Sequence, residues 1–139
     1  MFNNLFKTKY KTATFEDVQF AIRNPNIYVL INTLQSTNQE CLIQSTLLFQ
    51  TEENSINEYI NNYDFNSKTF IVYGENTNDE SIETKYSQLL GLGFEKVYIY
   101  RGGMFEWLLL QDIYGDIEFP TTSKLLDILK YKPRRTCVK

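Results

Sequence analysis

Three nearly unbroken apolar runs punctuate the chain: IYVLINTL from Ile27 to Leu34, KTFIVYG from Lys68 to Gly74, and KVYIYRGG from Lys96 to Gly103. Each is rich in β-branched and aromatic residues, and none alternates apolar with polar. Such runs predict strands buried on both faces, the pattern of a parallel sheet. Between them, apolar positions recur at helical spacing. Phe15, Val18, Ala21 and Ile22 do so behind a Thr14/Asp17 cap pattern, ending at Asn24-Pro25. Ile56, Tyr59, Ile60 and Tyr63 form a second such set, and Ile82, Tyr86, Leu89 and Leu90 a third, with Gly91 and Gly93 as stop residues.

The stretch MFEWLLLQDIYG predicts a helix that is apolar on nearly every side and stops at Gly115. After Pro120, Leu125, Leu126 and Leu129 predict a last helix with Ser123 as its cap. The stretch ECLIQSTLLF reads as a short helical turn or strand. Strand and helix thus alternate three times, the order of an α/β domain with a central parallel sheet and helices on both faces. Right-handed crossovers place the loops after Leu34, Tyr73 and Tyr100 on one sheet edge, where such folds keep their ligand crevice.

The 139 residues suit one domain, 1–130, followed by a basic tail, 131–139. A net charge of −3 argues against a nucleic-acid binder, although Lys130, Lys132, Arg134, Arg135 and Lys139 cluster at the C-terminus. The absence of His removes His-based triads, metal sites and general bases. Two distant cysteines, Cys41 and Cys137, form neither a disulfide framework nor a zinc site. With no long apolar run and no signal segment, the expectation is an intracellular, cytoplasmic protein without a membrane span, metal or cofactor.

The second half resembles the rhodanese-like family. The resemblance rests on FIVYG, a loop, and then LLGLGFEKVYIYRGGMFEW, in which Arg101, Gly102, Gly103 and Trp107 match the family's GG…W tail. It implies a rhodanese-like fold from about Thr14 onward. It also implies that the active-site loop is Gly74, Glu75, Asn76, Thr77, Asn78 and Asp79. In that family a Cys at the head of this loop carries sulfur as a persulfide, cradled by backbone N–H groups and a helix N-terminus. Here the matching position is Gly74, and Gly74 to Glu80 contains no Cys, Ser, His, Lys or Arg. The family's Asp-X-Arg pair after the first strand is also replaced, by Asn32 followed by Thr33 and Leu34.

Glu75, Asp79 and Glu80 cap helix N–H groups well, but they repel anionic sulfur donors, by about 1 kcal/mol or more for each unscreened close pair. As a metal or acid/base site, Glu40, Glu75, Asp79 and Glu80 lack further ligands. Arg101 either faces the crevice or pairs with the acidic loop. These readings lead to an inactive domain that serves as a protein-interaction or assembly module, with a protein partner and possible homo-oligomers. One competing expectation is a sulfurtransferase or phosphatase-like enzyme using Cys41 or Cys137. Another is a structural component of a larger complex.

Overall fold

A computed structural model describes residues 9–135 and 137. Lys139, one of the basic residues of the expected tail, lies outside them. The elements run α1 (Phe15–Arg23), β1 (Tyr28–Asn32), α2 (Glu52–Asn61), β2 (Thr69–Tyr73), α3 (Ser81–Gly91), β3 (Val97–Tyr100) and α4 (Gly103–Tyr114).

The three strands form one parallel sheet in the order β1-β2-β3. The register runs from Tyr28 beside Thr69 to Asn32 beside Tyr73, and from Phe70 beside Val97 to Tyr73 beside Tyr100. Single parallel bridges, Leu30 to Thr46 and Thr12 to Ile99, extend it at the two edges. The stretch around Thr46 is neither helix nor strand: Ile43 and Thr46 make isolated bridges on either side of a turn.

The apolar runs do not alternate with polar residues because both faces of the sheet are covered. On one face Leu30, Ile71, Tyr73 and Tyr100 meet Val18 and Ala21 of α1 and Met104, Trp107 and Leu108 of α4. On the other, Val29, Ile31, Phe70, Val72, Val97 and Ile99 meet Ile56 of α2 and Ile82, Tyr86 and Leu89 of α3. Successive strand residues point to opposite faces, so each strand must be apolar at every position. A 2.6 Å Lys85–Glu52 ion pair ties α3 to α2.

The Thr14 cap forms as a full capping box. Thr14 Oγ1 accepts from the Asp17 amide at 3.3 Å, and Asp17 Oδ2 accepts from the Thr14 amide at 2.8 Å.

The last helix expected from Leu125, Leu126 and Leu129 does not form. Residues 121–131 hold bends and one turn. Their backbone is already committed to long-range bonds: Thr121 bridges antiparallel to Ile43, and the Thr122 amide donates to Leu42 O at 2.8 Å. Asp127 Oδ1 then accepts from the Leu129 amide at 3.2 Å, a local bond that competes with helix. Leucine spacing alone gives no stable helix when the N–H groups have better partners. Tyr131, the first residue of the expected tail, is only 2% exposed and packs in the same core cluster as Trp107.

Candidate functional site

The C-terminal ends of the strands release three loops to one edge. The middle loop, 74–80, is held between α3 and the start of α4. Its carbonyls are taken up by α4: the Met104 amide donates to Gly74 O and the Phe105 amide to Glu75 O, each at 2.9 Å. That close approach explains the glycine pair. Gly103 has φ +66°, and a Cβ there would stand 2.6 Å from Gly74 O. Only glycine combines that dihedral with that proximity at no steric cost.

Within the loop, Asp79 is the organising side chain. Its Oδ2 accepts from the Glu75 amide at 2.9 Å, and its Oδ1 accepts from the Ser81 amide at 2.9 Å and the Ser81 hydroxyl at 2.6 Å. Asp79 therefore holds the start of α3, while Glu80, the residue bordering the helix, makes no capping bond with its side chain. The Asp79 carboxylate also fills the space next to Gly74. A Cβ built on Gly74 would land on Asp79 Oδ2 and lie 2.8 Å from Thr33 Oγ1. Thr33 Oγ1 in turn lies within hydrogen-bond distance of the Ser81 hydroxyl, at 2.7 Å.

Asn76 is buried. Its Oδ1 accepts from the Asn78 amide at 2.9 Å, and its Nδ2 donates to Tyr131 O at 2.8 Å. Thr77 and Asn78 are exposed. Glu75 is half-buried, and burial, then the Asp79 carboxylate, raises its carboxyl above the ordinary value; Lys130 acts in the opposite direction.

The cations near this edge are already engaged. Arg101 Nη2 pairs with Glu83 Oε2 at 2.7 Å, at the first turn of α3, and its guanidinium lies 5.6 Å from the Tyr10 ring centre. Arg101 thus takes the ion pair, with a helix residue rather than the loop itself. Lys130 pairs with Glu40 at 2.9 Å, which holds the Glu40 carboxyl below its ordinary value. The first loop is closed by neutral amides. Asn32 Nδ2 donates to Gln39 Oε1 at 3.1 Å, Gln39 Nε2 donates to Asn32 Oδ1 at 2.8 Å, and the Leu34 amide donates to the same Oδ1 at 3.0 Å.

Gly102 and Trp107 serve packing at this edge. A Cβ on Gly102 would meet the Glu106 carboxylate at 2.5 Å, and that carboxylate accepts from the Tyr100 hydroxyl at 2.6 Å. Trp107 is fully buried, its indole donates to Pro120 O at 3.1 Å, and its ring lies 5.0 Å from Phe119.

Among the described residues neither cysteine side chain bonds to the loop. Cys41 is 1% exposed, and its thiol donates to Ser123 O at 3.3 Å. Cys137 is exposed, and its carbonyl accepts from Arg135 Nε at 3.1 Å. Among the described residues no three His, Cys, Asp or Glu stand close enough to hold a metal ion, and no helix is long and apolar enough to cross a membrane.

Sequence reasoning singled out neither the Thr33–Ser81 clasp nor the Asn76–Tyr131 bond. For the first, a signal was available: two hydroxyl residues placed just after the first strand and at the start of the third helix. For the second there was none, because 55 residues separate the partners.

A parallel sheet with this loop between the second strand and its helix, and a glycine pair packed against the loop, defines the rhodanese type of α/β domain. The rhodanese-like domain profile matches residues 22–110, and the chain belongs to that family. No curated protein matches the chain.

Solved structures share the fold. The rhodanese-like domain of an Anabaena protein is 19% identical, with TM-score 0.56, covering 94% of this chain and 90% of that one. A yeast protein tyrosine phosphatase of the rhodanese family is 15% identical, with TM-score 0.57, covering 88% and 98%. A single-domain sulfurtransferase from Saccharomyces cerevisiae is 18% identical, with TM-score 0.52, covering 78% and 98%.

Proposed function

We propose that this rhodanese-like domain is non-catalytic and acts inside the cell as a protein-interaction or assembly module. One observation carries the reading: the space a side chain on Gly74 would enter holds the carboxylate of Asp79, and Gly74 is the position that the resemblance matches to the family's nucleophile. A sulfur carrier needs a thiolate there and free N–H donors around it. Here Asp79 takes the Glu75 and Ser81 amides, Asn76 takes the Asn78 amide, and the first α4 amides go to loop carbonyls. An incoming anion would have to displace a carboxylate and approach Glu75 and Glu80 as well.

A displaced cysteine is the competing enzyme reading, and the geometry disfavours it. Cys41 is buried, its thiol bonded to Ser123 O, and Cys137 is exposed in the terminal segment. Intact-mass spectrometry after incubation with thiosulfate tests the proposal. The expected spectrum shows the unmodified chain; an added sulfur atom removed by cyanide would overturn it.

A further inference from the structure

The segment that follows α4 turns large apolar side chains outward. Ile117 is 88% exposed and Leu126 86%, with Ile113 and Tyr114 beside them at the end of α4 and Leu129 further on. A groove of about 580 Å³ runs between α4 and this segment, lined among others by Leu108, Asp112, Asp116, Leu125, Leu126 and Ile128. Apolar side chains outside the core at this density mark an interaction surface more often than a bare monomer surface.

Acidic side chains outnumber basic ones on this face. Asp112, Asp116, Glu118 and Asp127 are all exposed, against Lys124 and, at its end, Lys130, which pairs with Glu40. Directly after it the sign reverses: Lys132, Arg134 and Arg135 are exposed around Pro133. Proline keeps such a stretch out of helix and leaves it extended. Among the described residues the ion pairs are Lys85–Glu52, Arg101–Glu83 and Lys130–Glu40, and none of them engages Asp112, Asp116, Lys132, Arg134 or Arg135. An acidic apolar groove and an exposed basic strip of matching charge on one molecule are the two halves of a self-complementary contact.

We propose that this face docks a second copy of the chain. The acidic groove between α4 and residues 120–128 of each copy receives the Lys132-Pro133-Arg134-Arg135 strip of the other. Leu126, which lines the groove, supplies the apolar centre, and the carboxylates select the basic strip. The proposal rests on the assembly role proposed above and names its partner.

Sedimentation equilibrium of the full chain tests it. The expected result is a dimer at about 0.05 M salt whose Kd rises about tenfold or more at about 0.5 M salt, as screening weakens the charge pairing. The double variants Asp112→Lys/Asp116→Lys and Arg134→Glu/Arg135→Glu each weaken association about tenfold or more, and combining all four restores it to within about threefold. Leu126→Ser alters a side chain that packs little in the monomer; it leaves the thermal melt of the monomer unchanged and weakens the dimer about tenfold.

A chain that stays monomeric at about 100 µM in low salt overturns the proposal. So does a dimer indifferent to these variants, or one that the combined charge reversal fails to restore. A face covered instead by residues 1–8 or by a different protein would register as the monomer outcome. A monomer that takes up no sulfur removes the docking proposal and leaves the non-catalytic reading standing; a dimer that takes up sulfur does the reverse.

Discussion

The loop after β2 and the segment after α4 meet at one edge of the sheet, joined by the Asn76–Tyr131 hydrogen bond, and they are built in opposite ways. The loop is short, polar and closed on itself, with the Asp79 carboxylate holding both its ends. The segment is longer and turns Ile117, Leu126 and Leu129 to the outside. In the first, the Glu75, Asn78, Asp79 and Ser81 amides all bond within the loop and its borders. In the second, apolar area is left uncovered and there is much to offer a partner. A fold that keeps chemistry at its crevice needs the first region open. In this chain the Asp79 carboxylate occupies the space beside Gly74, and exposed apolar side chains lie on the other region.

Substitutions can break that contrast, and the glycine beneath the loop should matter most. Gly103→Ala puts a methyl group 2.6 Å from Gly74 O at a positive φ, and is expected to cost about 3 kcal/mol in a urea melt. A cost below about 1 kcal/mol would show that the loop gives way and is not closed as described.

Gly74→Cys should come next, destabilising by about 1–3 kcal/mol because its Cβ meets Asp79, and Asp79→Ala in the same chain should recover part of that loss. The double variant separates occupancy from chemistry. If it alone loads sulfur from thiosulfate, the carboxylate is what kept the slot shut.

Asn76→Ala removes the bond that links the two regions and leaves Tyr131 O buried without its donor, a loss of about 1–2 kcal/mol. In a Cys137→Ser background it should also speed alkylation of Cys41, since the segment that anchors Tyr131 supplies the Ser123 carbonyl over that thiol.

The smallest expected effect concerns Glu75. Its carboxyl is raised on folding, so the folded chain holds that proton more tightly than the unfolded chain. Stability therefore falls as pH rises from the ordinary carboxyl value of 4.5 through the raised one, and the ionised form is the less stable at neutral pH. Glu75→Gln should melt slightly above wild type at pH 7, and the gap should vanish below about pH 4, where both states are protonated. The opposite sign would mean that Glu75 has a cationic partner in solution.

Much of this architecture was legible from residue patterns because its causes are local. Runs such as Phe70 to Tyr73 must be apolar throughout when both faces are covered, and Thr14 with Asp17 forms its cap within one turn. The loop itself was legible because Gly74 ends a strand and Gly102-Gly103 end the next. What could not be read depends on partners far along the chain. Leu125, Leu126 and Leu129 have helical spacing, yet the backbone leading into them is claimed by residues 42–43. Tyr131 looks like the start of a charged tail and is instead core, because Asn76 fixes its carbonyl and the α4 cluster receives its ring. The capping role of acidic residues was foreseen for the loop as a group, but which one acts followed only from geometry: Asp79 bonds both amides and Glu80 neither.

The central claim is that the rhodanese-type slot of this chain carries no sulfur. Steady-state transfer of sulfur from thiosulfate to cyanide, comparing wild type with Cys41→Ser/Cys137→Ser, tests it most directly. The account predicts thiocyanate formation at the protein-free rate for both. Turnover by wild type above that rate would contradict it, and turnover that survives in the cysteine-free chain would contradict the residue assignment as well.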